Sequence, residues 1–384
     1  MMSTLSVISV GAYTADEYKT AVLDAADRII LGQNDDGGFD WDLIEGDSTS
    51  YTNLGISAIG VLKAYKLDPR SSFKTSLAEA YMYAVNNAPG WVQDGTKWKE
   101  DPNGVNSWPD VTFILELARA AAKDSSLLSE IGTLTGDTVS DMAAYAKFLW
   151  DDRVNHMGNP WPEETGGSVT AMATYLRDDR LSGPTPLIGI VPWDIEEAVK
   201  AALALEDYYS EIDYGLQATE LATFIYDYIY TDNYFNIQDS NVVCYTIGLT
   251  GALEAFTEAG VYSVKASEIK GLLIGYQKSD GSWQESDTDL QYIVQPTAYA
   301  IMALLAQGDV DAQASAYLGV EWLISAQEDE GGWLEAGDEY PELNSEAAWA
   351  LFNSILKSNF VPGNGKGLDK PIPNDNFAKG RRKE

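Results

Sequence analysis

Apolar residues recur at helical spacing through most of the chain, and they mark two kinds of segment. Ala15 to Leu31, Val264 to Tyr276 and Gln313 to Ala326 are apolar on one side and polar on the other, as in a helix that buries one face. Tyr51 to Tyr65, Gln295 to Gln307 and Asn344 to Lys357 are apolar nearly all round, as in a helix covered on every side. The two kinds alternate, and the same short segment stands between them: Gln33-Asn-Asp-Asp-Gly-Gly-Phe39, Gln277-Lys-Ser-Asp-Gly-Ser-Trp283 and Gln327-Glu-Asp-Glu-Gly-Gly-Trp333. Each reads Gln, two variable residues, an acid, Gly, a small residue and a large aromatic. The glycine supplies the positive φ at which a helix can end.

A repeat of polar-faced helix, Gly-aromatic turn, loop and apolar helix predicts two concentric rings, the apolar helices inside. Weaker copies fill the middle of the chain. Ser72 to Ala88 leads to Gly90-Trp91 and an inner helix from Pro109; Val139 to Trp150 leads to Trp161 and an inner helix near Thr165; Glu211 to Thr231 leads to Phe235 and an inner helix from Ser240. Trp193 to Tyr209 adds one helix to the third interval, so the count is six hairpins, or seven if that helix heads a unit of its own. The expected fold class is all-α, an α/α toroid built as a double ring of antiparallel helix hairpins. It spans 15–357, between an N-terminal extension, 1–14, and a tail, 358–384, that is basic and rich in Pro and Gly.

The run at 327–333, followed by Asn344-Ser-Glu-Ala-Ala-Trp-Ala350, resembles the C-terminal repeat of squalene-hopene cyclases. More widely, the pattern is similar to the α/α toroid superfamily that includes the protein prenyltransferase β-subunits. The resemblance implies that the motif Gln and aromatic tie an outer helix to the next turn. It brings none of the family's catalytic motifs intact. Where the cyclases carry Asp-x-Asp-Asp, the nearest run is Asp287-Thr-Asp289-Leu290, and Asp289 is the acid an isoprenoid cyclase would need. A prenyltransferase-like zinc site would have to use His156, expected in a loop, with Cys244, on an apolar helix. No Gly-Cys-x-Glu-Gln thioester run surrounds Cys244.

Composition narrows the chemistry further. The 384 residues are 45% hydrophobic and 11% aromatic, ample for a large core, yet 59 Asp+Glu stand against 25 Lys+Arg for a net charge of −34. Such a polyanion repels phosphate backbones and anionic lipid, so nucleic acid is not an expected partner. No apolar run is long enough to span a membrane. With one His and one Cys there is no internal disulfide and no ordinary Cys/His zinc cage. No cofactor is expected, although acidic turns such as Asp35-Asp36 and Glu328-Asp-Glu330 could hold Ca²⁺.

What remains is carboxylate chemistry, and carboxylates recur beside tryptophan where inner helices begin. The instances are Asp40-Trp41-Asp42, Trp108-Pro-Asp110, Trp161-Pro-Glu163-Glu164, and Trp193-Asp194 with Glu196 and Glu197 behind. Helix starts favour Pro and acids in any case, through a preset φ and the helix dipole, but that leaves the tryptophans unexplained. A flat aromatic packs on the C–H face of a sugar ring, and a carboxyl pair can act as general acid and base. On this reading Trp41, Trp108, Trp161 and Trp193 bind substrate at one mouth of the ring. Glu163 or Glu164 serves as acid against Asp110 or Asp194. Three functions stay open: a glycoside hydrolase, polysaccharide lyase or glycan binder; a terpenoid cyclase or prenyltransferase-like protein with an isoprenoid in the central cavity; and a non-catalytic surface or adaptor module. Each of the first two has a glycan or small molecule as its partner.

Overall fold

The computed structural model describes residues 13–43, 54–87, 91–94, 97–100, 107–158, 167–182, 191–231, 245–285 and 291–357. The N-terminal extension up to residue 12 and the basic tail lie outside these residues.

The hairpins follow in chain order. Outer α1 (Ala15–Leu31) pairs with inner α2 (Leu54–Leu67), and α3 (Ser71–Asn87) with α4 (Trp108–Ala121); α5 (Ser125–Thr135) packs outside these on α3 and α4. Then come outer α6 (Val139–Gly158), α7 (Val169–Ser182) and inner α8 (Val191–Glu206). The last three pairs are α9 (Tyr214–Thr231) with α10 (Tyr245–Glu258), α11 (Ser263–Tyr276) with α12 (Val294–Gln307), and α13 (Val310–Ala326) with α14 (Pro341–Lys357). A small antiparallel hairpin, β1 (Trp91–Asp94) and β2 (Lys97–Glu100), precedes α4 where the sequence predicts only a loop.

The inner helices close a ring of six: α2, α4, α8, α10, α12 and α14 each pack on the next, and α14 returns to α2. The architecture is therefore the expected all-α toroid, with one correction to its middle. The helix expected near Thr165 is α7, and it lies outside, against α6, α8 and α9. Its Arg177–Asp178 pair, with the carboxylate 59% exposed, faces outward, whereas α8 presents an Ala- and Val-rich surface to its neighbours and takes the inner place. α8 is thus the third inner helix and not the start of a seventh unit. His156, expected in a loop, sits in the last turn of α6, where Nδ1 lies 2.8 Å from the Asp152 carbonyl oxygen.

The repeated turn works as a clamp. The amide nitrogen of Gln33 donates to Gly37 O within its own turn (2.9 Å) and to Ser76 O on α3 (3.0 Å). Gln277 does the same to Gly281 O (2.9 Å) and Ser315 O on α13 (2.8 Å). Gln327 reaches Gly331 O (2.7 Å) and Ala21 O on α1 (2.9 Å), so the last turn grips the first helix and closes the outer ring. The aromatics follow suit: Trp283 and Trp333, both fully buried, donate their indole N–H to Leu273 O (2.7 Å) and Leu323 O (2.8 Å). Arg28 adds a two-pronged bridge to Glu339, at 2.9 and 2.6 Å.

The two ends of the toroid differ. Where inner helices finish, the chain turns back within short connections such as 68–70, 259–262 and 308–309. Where they begin, it arrives through long ones, 32–53, 277–293 and 327–340. Long loops on a rigid scaffold are where binding groups are usually mounted, so this end, the N-terminal mouth, is the place to look.

Candidate functional site

Inner helices otherwise apolar all round carry charges that can face only the lumen. Halfway down, Lys63 of α2 binds both carboxylate oxygens of Glu116 on α4 (2.9 and 2.7 Å), and Lys66 joins the same carboxylate at 2.5 Å. Lys200 of α8 bridges Glu196 (2.8 Å) and Glu254 of α10 (3.0 Å). The Trp349 ring of α14 lies near both clusters, its centroid 4.7 Å from Lys63 Nζ and 5.2 Å from Lys200 Nζ. Helices α2, α8 and α14 are not all neighbours in the ring, so these contacts are made across its interior. Burial lowers the Lys63 pKa to about 8. Although burial opposes it, Lys63 and Lys66 hold Glu116 below the usual carboxylate range, and the pair stays ionised at neutral pH. Against burial, Glu196 and Glu254 hold Lys200 well above the ordinary lysine range.

Nearer the N-terminal mouth the balance changes. Tyr299 on α12 donates its hydroxyl to Glu346 Oε1, and Gln295, one turn earlier, donates to Oε2 at 3.0 Å. Both donors are neutral. Burial, then the charge of Glu342, pushes the Glu346 pKa well up. Across the ring Glu197 of α8 is raised by burial first and by Glu196 and Asp194 next, with Glu342 adding to the effect. Trp193, half-buried, meets Tyr299 edge-on with centroids 5.4 Å apart. Since α8 and α12 are separated in the ring by α10, this pair also spans the lumen.

The opening itself is an aromatic cleft. Trp41, 43% exposed, stacks on Tyr340 with centroids 5.3 Å apart and planes at 29°. They border a shallow niche of about 10 Å³, room for one water, with Asp40, Ser57 and Glu342. One segment sets this geometry: Glu335 caps the start of α12, accepting from the backbone N–H of Ile293, Val294 (2.8 Å) and Gln295 (3.2 Å). Glu339 anchors the same segment to Arg28, and Leu43 N donates to Glu339 O at 2.8 Å. The 335–342 stretch thereby fixes Tyr340, Glu342 and the Gln295 turn together. Burial raises the Glu335 pKa to about 7, against the three backbone donors.

The structure divides the residues expected from sequence. Trp41 and Trp193 stand at the mouth and upper lumen. Trp108 and Asp110 lie in the wall: Trp108 is 2% exposed beneath Trp150 and Arg153, and Asp110 has no accessible surface. Asp110 accepts from Ser107 N (2.6 Å), Ser107 Oγ (2.8 Å) and Gly55 N (2.7 Å), a helix-capping role that also staples α2 to α4. Burial raises its pKa to about 6. Asp194 is likewise buried, at 6% exposure. Trp161, Glu163, Glu164, Cys244 and Asp289 lie outside the described residues. Glu342, Glu346, Tyr299 and the lysine layer were not singled out as site residues from sequence. The signal was present, since charges three or four apart on a helix apolar elsewhere, Lys63/Lys66, Glu196/Lys200 and Glu342/Glu346, must share the lumenal face. Among the described residues no group of His, Cys, Asp or Glu is arranged to hold a metal ion, and no helix is long and apolar enough to cross a membrane.

The sequence matches no protein-family model and no curated protein. Its fold is similar to that of a polysaccharide lyase, with TM-score 0.56 at 12% identity over 92% of this chain and 100% of that one. A cellobiose 2-epimerase from Spirochaeta thermophila gives TM-score 0.51 at 15% identity, covering 89% and 97%. The type II terpene cyclase from Scytonema gives 0.51 at 12%, covering 90% and 100%. These likenesses establish the α/α toroid fold. They join it to three different chemistries, so the fold by itself selects none of them.

Proposed function

We propose that the chain is a carbohydrate-active enzyme of glycoside hydrolase type, taking its substrate at the N-terminal mouth. The observation that carries this reading is the Trp41–Tyr340 platform beside a cleft bordered by Glu342, with Glu197 facing it from the opposite side of the ring. A sugar ring stacks on Trp41 and a second reaches Trp193. Glu197, held protonated, donates to the glycosidic oxygen as general acid. Glu342 is the opposing carboxylate, acting on water or on the anomeric carbon. Glu346 has no accessible surface, so it acts through Tyr299 and Gln295 as a positioning residue.

Two rival chemistries fit less well. Elimination from a polyuronate needs cations to neutralise substrate carboxylates, but the lumenal lysines are already saturated by glutamates. An isoprenoid cascade favours an apolar aromatic wall, and here ion pairs interrupt the wall at mid-depth. The test is release of reducing ends from a panel of oligosaccharides. Wild type hydrolyses at least one class, while Glu197→Gln and Glu342→Gln fold normally and lose at least about a hundredfold in rate. Turnover of polyprenyl substrates instead would overturn the proposal, and glycan binding without turnover would leave only the binding module.

A further inference from the structure

We infer that Tyr292 is a further glycan-binding residue, and that the substrate is an oligosaccharide running out of the mouth along its rim, from the Trp41–Tyr340 platform to Tyr292. This assignment rests on the hydrolase reading of the same mouth and gives its substrate a length.

Tyr292 immediately precedes α12 and is 37% exposed. Its ring is not packed on the core, and among the described residues it stacks on no other ring and its hydroxyl has no hydrogen-bond partner. The other large aromatics of the repeat, Trp283 and Trp333, are fully buried and donate to backbone carbonyls, so stability accounts for them and does not account for Tyr292. Burial, then Asp338, Glu335, Tyr292 and Asp42, raises the Tyr340 pKa to about 12, which places Tyr292 within electrostatic reach of the Tyr340 hydroxyl. Trp41, Tyr340 and Tyr292 therefore belong to one arc of the rim, across the starts of α14 and α12.

The backbone beneath this arc is fixed although the rings are exposed. Glu335, 2% exposed, accepts from the N–H groups of Ile293 and Val294, the two residues after Tyr292, while its carbonyl oxygen lies 3.5 Å from the Tyr340 hydroxyl. One residue thus ties the Tyr292 backbone and the Tyr340 ring to the same point. On the other side, Tyr292 O accepts from Glu285 N at 3.2 Å, and Glu285 O accepts from Thr246 N of α10 at 3.2 Å. Glu335 and Asp338 exchange backbone hydrogen bonds of 2.8 and 3.0 Å across a two-residue turn, with φ +55° at Ala336 and +96° at Gly337. Glycine takes such a φ freely and alanine takes it under strain, and strain held beside an exposed aromatic surface is a mark of a shaped binding segment. Rings fixed before a ligand arrives lose little freedom on binding it.

Shape decides how the ligand lies. The niche beside Trp41 and Tyr340 holds about one water, so a sugar does not sink between the rings and rests on their exposed faces. A chain resting on one rim aromatic gains by reaching the next, and Tyr292 is the next along α12.

The test is calorimetric titration of the full chain with two-unit and six-unit oligosaccharides from the β-1,4-glucose, β-1,4-xylose and α-1,4-glucose series. Wild type is compared with Trp41→Ala, Tyr292→Ala and Tyr292→Phe. In the series that binds, wild type holds the six-unit form about tenfold or more tightly than the two-unit form. Tyr292→Ala loses about fivefold on the six-unit form and nothing on the two-unit form, Trp41→Ala weakens both, and Tyr292→Phe keeps the wild-type pattern because the ring face makes the contact. Loss at Tyr292→Ala on both lengths alike, or on neither, with hydrolysis intact, overturns the assignment of Tyr292 and leaves the hydrolase reading standing. Absence of binding and turnover in every series overturns both.

Discussion

Replacing Gly331 by Ala isolates what closes the toroid. Gly331 has φ +94°, and a Cβ there would lie 2.7 Å from Asp24 O and 2.9 Å from Asp24 C on α1. Backbone cannot rotate away as a side chain can, so the turn must lift off α1. The conformational strain alone costs about 1–2 kcal/mol. Lifting the turn also breaks the Gln327 hydrogen bond to Ala21 O and loosens the one to Gly331 O, at about 1 kcal/mol each. The expected loss is therefore about 3–4 kcal/mol. Gly308→Ala is the control: its φ is +72°, but the nearest atoms to an added Cβ are 3.8 Å away, so strain alone applies, about 1–2 kcal/mol. Urea unfolding followed by far-ultraviolet circular dichroism reads both, with m-values compared to confirm that the same surface is exposed. Adding Gln327→Ala to Gly331→Ala should cost less than Gln327→Ala alone, because one contact is being lost twice. Equal losses at Gly331 and Gly308, or full additivity with Gln327→Ala, would show that the clamp does not hold the ring closed.

Other expectations follow from the same contacts. Arg28→Ala removes a partly buried two-pronged pair to Glu339 and should cost about 2 kcal/mol by urea unfolding, with Arg28→Lys recovering only part because a single ammonium cannot reproduce the fork. Trp41→Ala should weaken glycan binding about tenfold or more by titration calorimetry yet leave stability within about 1 kcal/mol, since the residue is 43% exposed and stacks on Tyr340 at the rim. Stability should peak near pH 5. Glu335, Glu346 and Glu197 are raised in the folded chain, so their contribution is complete below the ordinary glutamate pKa of 4.5 and is lost as pH rises, through about 7 for Glu335, where the change amounts to about 3 kcal/mol. Asp280 and Asp309 are lowered by their hydrogen bonds, so their contribution is present above the ordinary 3.8 and is lost below it. Unfolding free energies that climb steadily from pH 5 to 8 would contradict this assignment.

The ring was legible from sequence because its repeat is local. The Gln, Gly and aromatic of each turn meet within a few residues, so spacing along the chain is also spacing in space. The choice between α7 and α8 was less legible. Both follow the long helix α6, and α8 carries Asp194, Glu196, Glu197 and Lys200, which read as an exposed face until a lumen exists to receive them. The tryptophan-carboxylate pattern hid a different ambiguity. Trp108-Pro-Asp110 and Trp193-Asp194 look alike, but Ser107 stands three residues before Asp110, and that capping box already signals a carboxylate turned back on its own helix. Glu346 lies within the Asn344–Ala350 run, where the regularity of the repeat masks its place on the lumenal face.

Charge inside the ring is not by itself a sign of function. The charges on the inner faces of the six helices are buried, and pairing with one another offsets much of the cost of that burial. The lower layer shows how such charges settle when nothing further is asked of them: each lysine finds glutamate, and Trp349 packs beside the pairs. The upper layer obeys the same electrostatics and does not reach the same end. Its acids arrive from α8 and α14 on opposite sides, and Tyr299 and Gln295 supply neutral hydrogen bonds to Glu346. The long connections open at this same end, and the exposed Trp41 stands there beside Tyr340. Raised carboxyls, access and an aromatic platform thus coincide at one mouth, and that coincidence marks a candidate site more sharply than the net charge of −34 does.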